Sequence, residues 1–237
     1  MKLVVIAVAA LAISALAFTL SASVGLGGSL LLVPGMALLF GAKKGVALAA
    51  LLLACNNVGK VIVYRRHIPF EPALGVILLT TLGVLLGAGL LVSQPEAVIT
   101  IAVIVGIVST LVTERLQLTR VRRGSAPILS FVAGAFSGFT GTSGPLKGLA
   151  LRNLDLDRQR FVGAASAVSL AADATKVAVF TQAELLLQDD LWLLLGAIPL
   201  IVVSVLIGRR INVEVGERGY TVLFWLVMSG YSVRLIL

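Results

Sequence analysis

A constant offset of 116 residues relates the two halves of this chain. It carries Lys60, in LLLACNNVGKVIVY, onto Lys176, in SLAADATKVAVF, and it carries Asn57 onto Asp173. The same offset superposes two glycine-rich turns, GLGGSL and GTSGPL. Internal repeats are a common design of membrane transporters, and an ionisable residue inside an apolar segment marks a functional site. The offset therefore predicts two related units, each with a buried cation.

The composition predicts a membrane protein. Of the 237 residues 59% are hydrophobic and only 13% are charged, whereas a soluble domain has about 25% charged residues. A bilayer span needs about 20 predominantly apolar residues, and such stretches follow one another here with short polar breaks. The net charge of +8 comes largely from arginines between apolar segments, which is typical of cytoplasmic loops. We therefore interpret the positive charge as a sign of how the loops are oriented across a lipid bilayer, and we expect no nucleic-acid partner.

The chain lacks the residues of a cofactor or catalytic centre. Cys55 is the only cysteine and His67 the only histidine, so neither an intrachain disulfide nor a ligand set for zinc, haem or an iron–sulfur cluster is available. No nucleophile–base pair or phosphate-binding GxxxxGK[ST] loop is present. We therefore expect no cofactor and no metal, and a membrane-embedded enzyme is the weaker alternative to a transporter.

The apolar segments predict an all-α polytopic fold built from two inverted repeats. Segments 28–40 and 145–152 are short for a crossing, and each follows a glycine turn that would break a helix. Each repeat is therefore expected to contain a glycine-broken hairpin or discontinuous helix and about three full transmembrane helices. The predicted division is a first membrane repeat at 1–113, a basic cytoplasmic linker at 114–125 and a second membrane repeat at 126–237.

Loop charges predict the sidedness. The positive-inside rule assigns four basic intervals to the cytoplasm: Arg65–Arg66, Arg115–Arg123, Arg152–Arg160 and Arg209–Arg210. The acidic interval Glu184–Asp190 and the interval Ser93–Glu96 then lie outside, and both termini face outward. Three crossings per repeat is an odd number, so the second repeat is inverted relative to the first. Lys43 and Lys44 fall on the outer side, against the trend.

The glycine turns are the first candidate binding elements. A half-helix that begins after such a turn presents unpaired backbone N–H groups and the positive end of its dipole, which together favour an anion. The alternative is that small residues only allow close helix packing. The candidate substrate-binding residues of the turns are Gly25, Gly27, Gly28 and Ser29 in the first half, and Thr140, Gly141, Thr142, Ser143 and Gly144 in the second.

The repeated lysines are the second candidate element. Lys60 and Lys176 would give countercharge to an anion, and Asn57 and Asp173 precede them by three residues on the same helical face. The sequence leaves open whether the lysines line a site or extend to the membrane surface. Asp173 either forms a structural ion pair with Lys176, the interpretation we favour, or couples transport to a proton.

The two turns also carry a family resemblance. GLGGSLLLVP (Gly25 to Pro34) and GTSGPL (Gly141 to Leu146) resemble the paired signatures of the sulfite exporter TauE/SafE family. The resemblance covers nearly the whole chain, including its size, its repetition and the basic central linker. It implies a polytopic permease of the bacterial inner membrane. The substrates that it implies are sulfite, sulfoacetate and related sulfur-containing or organic anions, usually exported.

The sequence therefore predicts a secondary transporter for a small anion. The site would lie between the repeats near the membrane midplane, and one repeat would rock against the other. A proton or another coupling ion is a further expected partner. The competing interpretations are an anion channel of the same fold, a membrane-embedded enzyme and a non-transporting assembly factor. The sequence does not indicate an oligomeric state.

Overall fold

A computed structural model describes residues 2–24, 28–115, 124–142 and 144–214. These residues form helices and short turns, as predicted. The helices are α1 (Lys2–Val24), α2 (Gly28–Phe40), α3 (Ala42–Tyr64), α4 (Phe70–Ser93), α5 (Glu96–Arg115), α6 (Ala126–Thr140), α7 (Gly144–Arg152), α8 (Arg158–Gln182) and α9 (Leu191–Glu214). Most of the predicted linker, and the part of the second predicted repeat after residue 214, lie outside the described residues.

Within the described part of the chain, four helical segments are long and apolar enough to cross a membrane: Ala42–His67, Phe70–Ser93, Arg158–Gln182 and Gln188–Ile207. Further apolar helices are shorter, and α2 and α7 span only 13 and 9 residues. The prediction of short helices after both glycine turns is therefore confirmed. On α4 one face of leucines, including Leu74, Leu78 and Leu82, is more than half exposed, as expected for a surface that contacts lipid.

Helix boundaries repeat at the offset found in the sequence. α2 and α7 begin at Gly28 and Gly144, and α3 and α8 begin at Ala42 and Arg158. The ends of α1 and α6 are also 116 residues apart. The helices before and after each glycine-rich stretch therefore end and begin at equivalent points in the two halves, and a long helix follows each short one.

The helix ends collect at two faces of opposite character. At the acidic end, Lys44 forms an ion pair with Asp190. Lys43 lies beside them in sequence: its backbone N–H donates to Glu96 Oε1 at 3.1 Å, and its Nζ donates to the Val92 carbonyl at 2.9 Å. These contacts bring Lys43 and Lys44 to the same face as the intervals Ser93–Glu96 and Glu184–Asp190. These segments therefore lie on one side, as the predicted topology requires.

At the basic end, Arg66, His67 and Arg160 line a shared surface pocket. A Cβ placed on Gly163 would lie 3.0 Å from the His67 carbonyl oxygen. The start of α8 therefore packs against the end of α3. At the other end, Lys44 near the start of α3 pairs with Asp190, which follows α8 in the chain. The helices α3 and α8 are equivalent by the offset, and they run in opposite directions.

Helices α4 and α6, one from each half, pack through glycines. Gly83 and Gly87 on α4 face Gly134 and Gly138 on α6, in the pattern of small residues that lets membrane helices approach closely. An added Cβ would lie 2.0 Å from a facing backbone oxygen at Gly87, and 2.1 Å at Gly83 and Gly134. No side chain larger than hydrogen fits at these crossing points without moving the backbone.

Candidate functional site

A cluster of polar side chains lies buried where α3 and α8 cross. Its members, the central cluster, are Asn57, Lys60, Asp173 and Lys176. Lys60 and Lys176 are each 1% exposed and Asp173 is 6% exposed. Both lysines are therefore enclosed by protein, and the alternative that they extend to the membrane surface is wrong.

Each lysine of the central cluster contacts a serine of its own half. Lys60 Nζ donates to Ser21 Oγ at 2.8 Å, and Lys176 Nζ lies 3.4 Å from Ser137 Oγ. The two serines are 116 residues apart, and each lies on the helix that leads into a glycine turn. Sequence reasoning missed both serines, although adding the offset to Ser21 would have found Ser137.

The halves meet at the centre of the cluster. Asn57 Nδ2 donates to Asp173 Oδ2 at 2.8 Å, so two residues that are equivalent by the offset contact each other. The other carboxylate oxygen, Asp173 Oδ1, lies 2.6 Å from Lys176 Nζ. The predicted ion pair between Asp173 and Lys176 is therefore present, and a single carboxylate links the two halves.

A buried amide beside the cluster lacks partners. Asn56 is fully buried, one helical turn before Lys60, and neither its Nδ2 nor its Oδ1 has a hydrogen-bonding partner among the described residues. Asn57 Oδ1 is also unpartnered. An unsatisfied buried polar group costs about 1–3 kcal/mol, which points to an occupant that supplies hydrogen bonds. The sequence indicated Asn56 only as part of a polar patch.

A third lysine lies next to the cluster. Lys147, on α7, donates from its Nζ to Ser169 Oγ at 2.6 Å, and its charge acts on Lys60, Asp173 and Lys176. Sequence reasoning did not identify it, because 145–152 was interpreted only as a short apolar segment. Its position, the fourth residue of a half-helix that follows a glycine turn, was the available signal.

The second glycine turn is closed by its own polar groups. Thr142 donates its backbone N–H to Thr140 Oγ1 at 3.2 Å, and the two hydroxyls lie 3.3 Å apart. Gly141 has φ of +80°, in the left-handed region, and a Cβ there would lie 2.9 Å from Val33 of α2. Thr140 and Thr142, both candidate binding residues, therefore bond to each other within the turn.

The first glycine turn approaches Ser21. Gly28 is the first residue of α2, and a Cβ there would lie 2.7 Å from Ser21 Cβ. Ser29 follows it and is partly buried. Gly144 begins α7, in the equivalent position. Three of the predicted site residues, Gly25, Gly27 and Ser143, lie outside the described residues.

The described residues contain no group of three histidine, cysteine, aspartate or glutamate side chains that could hold a metal ion. The site therefore consists of lysine, amide and hydroxyl groups around one carboxylate. Ammonium and amide N–H groups are donors, so the cluster is suited to a small anion with several acceptor oxygens.

Comparison with known proteins identifies the family. The family model described as sulfite exporter TauE/SafE matches residues 10–235. No curated protein and no solved structure matches the chain. Because the family match covers most of the chain, including every buried polar residue described above, this protein belongs to the sulfite exporter TauE/SafE family of membrane transporters.

Proposed function

We propose that this protein is a secondary transporter that exports a small anion, such as sulfite, a sulfonate or a related organic anion, across the bacterial cytoplasmic membrane. The observation that carries the proposal is the burial of two offset-related lysines, Lys60 and Lys176, where α3 and α8 cross. Charged groups inside a membrane segment are costly and mark substrate or ion pathways. The family membership supports the same class of substrate.

The fold of the proposed transporter is a pair of inverted repeats, 1–113 and 126–237, joined by the linker 114–125. The support is that α3 and α8 are equivalent in sequence yet antiparallel. The contact between Asn57 and Asp173 adds to it, because two equivalent residues meet only near an axis that relates the halves. A site on such an axis becomes accessible from either side when equivalent elements exchange conformations.

Each member of the site has a proposed role. Lys60 and Lys176 provide countercharge. The amide nitrogens of Asn56 and Asn57 donate hydrogen bonds to substrate oxygens, Asn57 with the N–H that does not bond Asp173. Asp173 holds Lys176 when the site is empty, and it is the candidate carrier of a coupling proton. The half-helix N-termini contribute backbone N–H groups at Gly28, Ser29 and Gly144, together with the turn residues Gly25, Gly27 and Ser143. Thr140, Gly141 and Thr142 shape the second turn beside the substrate, because their own bonds close it.

The proposed direction of transport follows from the two ends of the fold. We assign the basic end to the cytoplasm and the acidic end to the outside. Arg66 and Arg160 line the pocket at the basic end together with Glu71, and Arg160 also pairs with Asp157. The basic residues of the intervals assigned to this end still outnumber its carboxylates, and a positive surface raises the local concentration of anions. The acidic end lacks this attraction, so release on that side is favoured.

Binding measurements on Lys60 variants test the proposal. Purified parent protein, Lys60→Met, Lys60→Arg and a control, Lys43→Met at the acidic end, are titrated with sulfite by calorimetry. A hydrogen bond to a charged group contributes about 1.5–3 kcal/mol, so we expect Lys60→Met to weaken binding by about 10- to 100-fold. Lys60→Arg keeps the charge and is expected to keep part of the affinity. Equal affinity of parent and Lys60→Met on folded protein would refute the electrostatic site.

Transport in liposomes separates a transporter from a channel of the same fold. The parent protein is reconstituted with equal sulfite inside and outside, and a pH difference is then imposed at zero membrane potential. A transporter coupled to protons accumulates sulfite against its own gradient, whereas a channel lets it equilibrate. Loss of accumulation in Asp173→Asn, with facilitated exchange retained, would identify the carboxylate as the coupling group.

A further inference from the structure

The site is not symmetric, and Lys147 is the largest departure from symmetry. The offset relates Lys147 to Leu31 and its partner Ser169 to Leu53. Leu31 and Leu53 are buried, at 4% and 3% exposure. The first half thus has two apolar residues packed where the second half has an ammonium group and a hydroxyl. The pair of Lys147 and Ser169 is therefore an addition that helix packing does not require.

Among the described residues, Lys147 forms no direct ion pair with a carboxylate, and Asp173 is already paired with Lys176. The hydrogen-bonding partner of Lys147, Ser169, is neutral. The charged side chains of the central cluster, Lys60, Asp173 and Lys176, have a formal net charge of +1, and Lys147 raises that net charge to +2. Uncompensated charge in a partly buried site is unfavourable, so the additional charge favours a ligand of two negative charges.

The position of Lys147 gives it first access to an anion from the basic end. Ser169 lies four residues before Asp173 on α8, which corresponds to about 6 Å along a helix. Because α8 begins at the basic end, Lys147 Nζ lies between that end and the central cluster. An anion that moves from the basic end to Lys60 and Lys176 passes the third ammonium group on the way.

We propose that Lys147 is a specificity-determining residue, which makes the site select a dianion over a monoanion of similar size. This inference rests on the proposed function, because it requires that the central cluster bind the transported anion. The selected chemical class is a compact oxyanion or sulfonate with two negative charges. Selection arises because a monoanion leaves one buried ammonium without a counter-ion.

The test compares two ligands of similar size and different charge. Sulfoacetate carries two negative charges at neutral pH, and 2-hydroxyethanesulfonate carries one. Affinities for both are measured by calorimetry on parent protein, on Lys147→Leu, which restores the first-half residue type, and on Lys147→Arg. We expect the parent to prefer sulfoacetate, and Lys147→Leu to lose about tenfold or more of that preference. Lys147→Arg is expected to keep the preference, because it keeps the charge.

The control variant is Lys43→Met, which removes a positive charge outside the site and is expected to leave the preference unchanged. If Lys147→Leu does not yield folded protein, Lys147→Gln replaces it, since a polar side chain can still donate to Ser169. An unchanged preference in a folded, charge-removed variant overturns the inference and leaves the proposed function intact. Failure of the parent to bind sulfite as well as both of these sulfonates overturns the proposed function itself.

Discussion

Replacing Gly28 by alanine tests the link between the first glycine turn and Lys60. The new Cβ would lie 2.7 Å from Ser21 Cβ and 3.0 Å from Ser21 Oγ. Ordinary contacts begin at 3.4 Å, so Ser21 or the start of α2 must move by at least 0.7 Å. Ser21 is the partner of Lys60, and their hydrogen bond of 2.8 Å would lengthen. One added methyl group is therefore expected to change both packing and the site.

The expected loss of stability follows from overpacking. An additional methyl group in a packed core costs about 1–3 kcal/mol, which we expect as a lower melting temperature of the purified protein in detergent. Sulfite affinity is measured on the same samples and is expected to fall with the displaced Ser21. The control is Gly89→Ala: a Cβ there has no neighbouring atom within 4 Å, so its melting temperature is expected to stay or rise slightly.

A second substitution separates packing from binding. Ser21→Gly removes both atoms that the new methyl group contacts most closely, so the double variant Gly28→Ala/Ser21→Gly is expected to recover much of the lost stability. It does not restore anion binding, because Lys60 still lacks its hydroxyl partner. If Gly28→Ala melts like the parent, or if the double variant regains full affinity, the close approach of Gly28 to Ser21 does not support the site.

Three further substitutions test individual contacts. Asp173→Asn leaves the ammonium of Lys176 buried without its carboxylate, so we expect thermal unfolding to show a stability lower by about 3–5 kcal/mol. Adding Lys176→Met should recover most of that stability, and a double variant as unstable as Asp173→Asn alone would argue against the ion pair. Gly87→Ala places a Cβ 2.0 Å from a backbone oxygen, so we expect it to cost about 3 kcal/mol or more, with the α4 variant Gly89→Ala again as control. Asn56→Leu removes a buried amide that has no hydrogen-bonding partner among the described residues. It should raise the melting temperature of the ligand-free protein by relieving about 1–3 kcal/mol and should weaken sulfite binding; a lower melting temperature with normal sulfite binding would make Asn56 a structural residue.

The sequence predicted those features of the fold that depend on local pattern. Apolar length predicted the long helices, and a glycine turn followed by a short apolar run predicted α2 and α7. The offset also identified Lys60 and Lys176 before any contact was known, because a lysine in an apolar segment is exceptional wherever it occurs. Helix type and boundaries depend on neighbouring residues, so they can be inferred from one chain.

Contacts between distant residues were not predictable in the same way. The sequence could not decide whether the Lys60 side chain turns inward, because that depends on which helix packs beside α3. Lys147 illustrates the same limit: its meaning depends on Ser169, which α7 and α8 bring together in space. Thr140 and Thr142 were expected to face a ligand, but the left-handed Gly141 folds the turn so that they bond each other.

The packing of the helices also determines which elements can move. Because the glycines of α4 and α6 bring the two backbones into contact, these helices cannot slide past each other without separating, and we expect them to move together. Helices α1 and α9, equivalent to α6 and α4 by chain order, also pack against each other. There Gly196 lies against the Leu11 side chain, and Ser204 Oγ donates to the Ala15 carbonyl at 3.3 Å. Each pair takes one helix from each half, so we expect the moving units to be these two pairs, in place of the rocking of one whole repeat against the other that the sequence suggested. Helices α3 and α8 cross between these pairs, and the hydrogen bond of Asn57 to Asp173 links them at the centre. We expect the pair α4–α6 to rock against the pair α1–α9 at this crossing, where the buried lysines lie.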